Sequence, residues 1–271
     1  MKKLFLLLLF LFLVHHSSLW AADDSLQVNA LPFKLGEDLT FKIRYGFIKA
    51  GTAHMRIVGM DSYKDRPVIH IQTTAVNVPA FRWIYKVDDV VNVFVDPVNL
   101  RPLYFEKKLR EGTYKADLFV RYQHEDSVAQ VEFIRYKDDM KIRKREAVPV
   151  RIPANVFDVL SAFYYVRTQD LQVGKSIFLT SLEKKKIYDL EIKTHRKEII
   201  KVTAGKFRCL VIEPLLKGEG IFKQKGRLLI WLTDDQYKIP VQMTSKIVVG
   251  HITSELTHMK NVPENIPARI K

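Results

Sequence analysis

Asn155-Val156-Phe157-Asp158-Val159-Leu160-Ser161-Ala162-Phe163-Tyr164-Tyr165-Val166-Arg167 is the stretch on which the fold turns. Val156, Val159, Leu160, Phe163 and Val166 recur at helical spacing, so one face is apolar. Asn155 is placed to cap the free amides, and Pro153 stands just outside. Asp158 in the first turn and Arg167 in the last suit the helix dipole. The spacing predicts one helix over about 155–167, and it is the only convincing one.

On both sides the sequence reads as strands. Leu39, Phe41, Ile43 and Tyr45 alternate with Thr40, Lys42 and Arg44, the mark of a sheet with one wet face. Similar runs continue through Val68 to Val76, Tyr85 to Val95, Leu103 to Leu109, Tyr114 to Tyr122 and Val128 to Tyr136. Beyond the helix they resume from Ser176 to His258. Separators such as Asp61-Ser62-Tyr63-Lys64-Asp65, Glu111-Gly112 and Lys137-Asp138-Asp139 are turn chemistry. Gaps this short join antiparallel neighbours, so the expectation is a meander. About fourteen strands carry on the order of 40 inward apolar groups by the period-two rule. One helix hides about five of them, each worth ~1.5–3 kcal/mol when buried. The sheet must therefore close, split or enclose something. The expected fold is mainly β, a large curved antiparallel sheet or open barrel, with two sub-sheets as an alternative, around one central helix. The domain layout follows: a first β half over 31–150, the helix within 153–168, a second β half over 174–258, and a loose tail over 263–271.

The first 22 residues stand apart. Lys2 and Lys3 precede an apolar run from Leu4 to Val14, followed by Ala21-Ala22. That is the layout of a secretory signal, and the run is short of the ~20 residues of a permanent anchor. Export to the periplasm is expected, with no stable transmembrane anchor once the signal is removed. Cys209 is the only cysteine of the 271 residues, so no internal disulfide can form. Its apolar strand marks it as a buried small hydrophobe. The formal charge of +14 falls by two when Lys2 and Lys3 leave with the signal. In an exported protein that excess suits an anionic envelope surface rather than nucleic acid.

Chemistry is sparse. The glycines are isolated, and His54, His70, His124, His195, His251 and His258 show no metal-ligand spacing, so neither cofactor nor metal is expected. Asp88-Asp89 lies within an apolar strand, where one of the two must face inward and needs a partner. Lys141, Arg143 and Arg145 form a basic patch on one strand face.

Several motifs in order resemble a known family: Leu35-Gly36-Glu37-Asp38-Leu39 with Tyr45 and Ala50-Gly51, Lys86-Val87-Asp88-Asp89, Asp158 to Arg167, Gly205-Lys206-Phe207, and Ile230 to Asp235 with Ile239-Pro240-Val241. Together they look like the domain of unknown function 3108 family of exported bacterial proteins, from about residue 31 to 258. The resemblance implies a Gram-negative envelope location and a largely β domain, with no catalytic residues to transfer. A looser similarity of architecture is to the lipoprotein-carrier fold.

The function expected is a periplasmic carrier for a lipid-like or amphipathic ligand, held in an apolar cavity between sheet and helix. Phe157, Phe163, Tyr164, Phe222 and Trp231 are the expected lining, with Arg167 or Asp89 as polar anchor. Two alternatives stand beside it. One is an enzyme acting on envelope glycans or lipids through Asp88 or Asp89; the other is a structural protein docking by its basic face.

Overall fold

The computed structural model describes residues 31–82, 85–217, 227–246 and 250–271. Its first half is a meander of β1 (Asp38–Tyr45), β2 (Ile48–Tyr63), β3 (Arg66–Asn77), β4 (Asp88–Val95), β5 (Pro102–Glu111), β6 (Tyr114–Gln123), β7 (Val128–Tyr136) and β8 (Ile142–Arg151), with a one-turn helix α1 (Pro79–Arg82) before β4. After β9 (Val156–Phe157) and helix α2 (Val159–Arg167) come β10 (Ser176–Glu183), β11 (Lys186–Val202), β12 (Gly205–Lys217), β13 (Leu228–Thr233), β14 (Pro240–Lys246), β15 (His251–Lys260) and β16 (Arg269–Ile270).

All sixteen strands form one sheet in the order β8 to β1, then β15 back to β9, with β16 added to β12. There is one sheet rather than two sub-sheets, and it is open. Neighbours are antiparallel apart from β9, which lies parallel to β10. The halves are joined by β1 against β15, where Leu39 faces Met259 and Ile43 faces Ser254. Although β8 and β9 are the two edges, only residues 152–155 separate them in the chain. The sheet must therefore curl to bring its edges together. Lys185 in the β10–β11 turn reaches Glu146 of β8 at 2.9 Å.

Helix α2 is shorter than 155–167. Val156 and Phe157 pair with Thr180 and Ser181 as β9, so the helix starts at Val159. Its cap is Asp158, not Asn155. The Asp158 carboxylate accepts from the backbone N–H of Leu160 (2.8 Å) and Ser161 (3.0 Å), while the Ser161 hydroxyl accepts from the Asp158 N–H at 3.0 Å. This reciprocal box satisfies amides that Asn155 is too far upstream to reach. Leu160 and Tyr164 pack into one buried cluster with Ile57, Ile71 and Val93. Ala162 and Val166 pack into another with Leu190, Leu210 and Leu232.

The tail is not loose. Ile266 and Ala268 are buried, and Arg269 and Ile270 pair with Phe207 and Lys206 of β12. Pro263 and Pro267 break the alternation that would have marked this strand in the sequence.

Candidate functional site

Three rows of inward side chains cross the first half of the sheet, each step about 7 Å further along the strands. The first row is Ile57, Ile71, Val93, Phe105, Val120, Val131 and Val148, each opposite the next. All but Val148 are buried. The second is Met55, Thr73, Val91, Lys107, Leu118, Phe133 and Glu146; from Thr73 onward all are half-buried. The third holds Ala53, Ala75 and Asp89, then Leu109, Ala116, Arg135 and Lys144. Along β1, Leu39 and Phe41 keep these rows closed. Over β3 to β8 the inner face thus runs from apolar and closed to charged and open.

The closed end is where α2 sits, with Phe33 edge-on to Tyr164 at 5.3 Å and Leu100 of the β4–β5 turn buried beside them. The open end is where the β10–β11 turn arrives, placing the Lys184 ammonium 5.8 Å from the Phe133 ring centre. Asp89 accepts the backbone N–H of Arg110 at 2.8 Å, and its carboxyl is hydrogen-bonded to that of Glu111. Burial raises the pKa of both carboxyls; the charge of Asp89 and the bond to it add to the rise for Glu111, whereas the Arg110 N–H, the bond to Glu111 and Lys107 oppose it for Asp89. Asp88 points the other way, with its carboxylate 4.0 Å from the ammonium of Lys86.

Of the residues expected to line a cavity, Asp89 falls on this half-buried basin of the inner face, opposite Ala75. Arg167 has no exposed surface and is committed elsewhere. It forks onto Glu37 at 2.6 and 2.9 Å and donates to the Tyr237 carbonyl at 3.3 Å. Burial disfavours its charge, yet Glu37 more than offsets this, so its pKa is raised. Tyr164 is fully buried, and Phe163 is half-buried against it with ring centres 5.8 Å apart. Phe157 and Tyr165, 4.7 Å apart, line a cleft of about 540 Å³ between helix α2 and β10, with Arg101, Phe178 and Leu179. Trp231 lies between Ile230 and Leu232, which face the helix cluster, so it points to the opposite face; its indole N–H donates to Glu198 at 3.1 Å. Phe222 falls outside the described residues.

The basic patch is not one face. Lys141 precedes β8 and pairs with Asp139 at 3.0 Å, and Arg145 donates to Glu132 at 2.7 Å. A register shift between Arg135 and Tyr136 leaves Arg143 opposite no partner, while Lys144, opposite Arg135, alternates onto the inner side with Glu146 and Val148. The sequence reading missed Lys107, Glu111 and Phe133. A signal for Lys107 was present, since Leu103, Phe105, Lys107 and Leu109 share one strand parity. Cys209 is buried, and burial pushes its thiol up to about 12, which keeps it protonated. Among the described residues no three His, Cys, Asp or Glu converge on a metal position.

Shell, basin and helix together define a β-barrel-like protein built from one open meander. The sequence profile described as "Protein of unknown function (DUF3108)" matches residues 40–257, and the chain belongs to that family. No curated protein matches. Among solved structures, a β-barrel-like protein of domain of unknown function DUF1849 from Brucella abortus is similar at 9% identity and TM-score 0.53, covering 84% of this chain and 98% of its own. A candidate exported protein with a YmcC-like fold from Bacteroides fragilis (9% identity, TM-score 0.36) covers 85% and 98% respectively. A candidate lipoprotein from Parabacteroides distasonis (10% identity, TM-score 0.35) covers 85% and 97%.

Proposed function

We propose that this is an exported envelope protein that binds and carries an amphipathic, lipid-like molecule. The reading rests on the gradient of the inner face. An acyl chain would lie over Val91, Leu118 and Phe133, flanked by the stem of Lys107, and its polar head would meet Asp89 and Glu111 at the mouth. Helix α2 acts in this reading as the stopper of the closed end. Apolar side chains left half-exposed on a concave inner face are costly unless a guest covers them. The amino-terminal Lys2-Lys3 and Leu4 to Val14 support export, and no helix among the described residues is long and apolar enough to cross a membrane. The description of the Bacteroides fragilis structure as an exported protein is in keeping with a periplasmic location.

Native mass spectrometry of protein purified from its own envelope, with displacement titrations using a fluorescent fatty acid, tests the proposal. A bound lipid and saturable uptake are expected. Val91→Phe with Leu118→Trp should fill the basin and abolish uptake while the fold is kept. Neither bound lipid nor uptake would refute carriage.

A second reading has its own observation: two carboxyls with raised pKa values facing an open basin can serve as a proton donor to a bound glycan or lipid. It requires that Asp89→Asn abolish turnover of an envelope substrate without loss of thermal stability. Unaltered envelope lipids and glycans on incubation with the wild-type protein would eliminate it.

A further inference from the structure

Alternate connections of an antiparallel meander emerge on the same edge. The turns β1–β2, β5–β6, β7–β8 and β10–β11, and the connections β3–β4 and β14–β15, therefore share the rim at which the basin opens. The β1–β2 turn is unlike ordinary turn chemistry, which favours small polar residues. Phe47 at its tip is 96% exposed and Ile48 is 55% exposed. Gly46, at φ +56, makes the tight reversal that holds Phe47 outward. Beside this tip, Ile252 on β15 is also exposed.

Cations surround the apolar tip. Lys49 and Lys246 are exposed next to it, and Lys86, Lys115, Lys184 and Lys186 stand on the neighbouring turns of the same rim. Asp88 answers Lys86 and Asp138 answers Lys115. On the opposite rim the turns mix acids, Asp61, Asp65, Asp96, Glu125, Asp126 and Asp234, with Lys64, Arg101, Lys206 and Lys238. The rim that presents the protruding phenylalanine and isoleucine side chains is thus bordered by exposed lysines, Lys49 and Lys246 nearest to them. A protein partner would be met by a broad flat patch. A single greasy tip ringed by flexible lysines fits the layered chemistry of a bilayer, phosphates outside and acyl chains beneath.

We infer that this rim docks on an anionic phospholipid bilayer. Phe47 and Ile48 enter the acyl region, the lysines bind lipid phosphates, and the basin mouth is held against the membrane. The inference goes beyond the carrier reading and is scored separately from it.

Flotation of the mature chain with vesicles tests it, using phosphatidylethanolamine with phosphatidylglycerol in one set and phosphatidylcholine alone in the other. Binding to the anionic vesicles is expected, weakening steeply with added salt, and little binding to the neutral ones. Phe47→Ser with Ile48→Ser should lower anionic-vesicle binding by about tenfold or more. Lys49→Glu with Lys246→Glu should lower it and flatten the salt dependence. All four substitutions fall on exposed side chains, so unfolding midpoints should hold, and uptake of the fluorescent fatty acid in solution should be unchanged. Failure to float with anionic vesicles, equal binding to neutral ones, or full binding by the Phe47/Ile48 variant would each overturn the docking surface. Loss of solution uptake in the wild type would instead count against the carrier reading alone.

Discussion

A guanidinium with no water around it holds its place only if nearly every donor is answered. For Arg167 the answer is Glu37 and the Tyr237 carbonyl, with the rings of Phe33 and Tyr164 5.1 and 5.3 Å from its central carbon. Arg167→Ala leaves Glu37 buried and unpaired, and should cost about 3–5 kcal/mol in urea unfolding. Replacing both partners, Glu37→Leu with Arg167→Leu, should recover much of that loss. A near-neutral single variant would show that Glu37 finds water or another partner. Nothing local could have exposed this pair. The partners are 130 residues apart, and in the sequence Arg167 is simply the right charge for a helix C-terminus. Asp89 and Glu111 make a prediction of opposite sign to the usual carboxylate. Their folded pKa values are raised, so the folded state holds protons that the unfolded chain has released. The contribution to stability is full below the ordinary carboxylate range and is lost as pH rises through the raised values. Asp89→Asn should flatten that part of the pH profile of the unfolding midpoint, and an unchanged profile would contradict the burial assigned to this pair.

At the level of the element, the strands were legible because alternation over seven or eight residues is a strong signal when one face is dry. Helix α2 was legible in existence but not in its start. Asn155 is a good capping residue, yet Val156 and Phe157 are drawn into β9 by the backbone of β10, and that pairing is tertiary. The deciding local clue was Asp158 with Ser161 three residues on. Two substitutions separate the assignments. Asp158→Ala should cost about 1–2 kcal/mol, while Asn155→Ala should cost close to nothing. Equal costs at both positions would return the helix start to Asn155. Strand β16 was unreadable for a related reason. Two residues carry no periodicity, and what holds the tail is burial of Ile266 and Ala268 together with pairing to β12.

For the molecule as a whole, the inventory of inward apolar groups demands more cover than one helix supplies, and that imbalance is legible in the sequence. Where the uncovered surface lies is not, because it depends on which rows the helix reaches. The structure puts the shortfall at one end: Val93, Phe105 and Val120 are buried, whereas Val91 and Leu118, two positions along their strands, are half-exposed. Amide exchange should report this asymmetry directly. Without ligand, the backbone around Val93, Phe105 and Val120 should exchange near the global unfolding limit, and that around Ala75, Val91 and Leu118 faster, because openings there expose less apolar surface. A lipid seated in the basin adds contacts only to the second group. Its addition should slow exchange at the mouth half of β3 to β6 and leave the helix half, already at its ceiling, almost unchanged. Uniform protection along the strands would mean that the guest stabilises the fold globally from some other site. Protection confined to the cleft beside Phe157 and Tyr165 would move the binding site to the gap between helix α2 and β10.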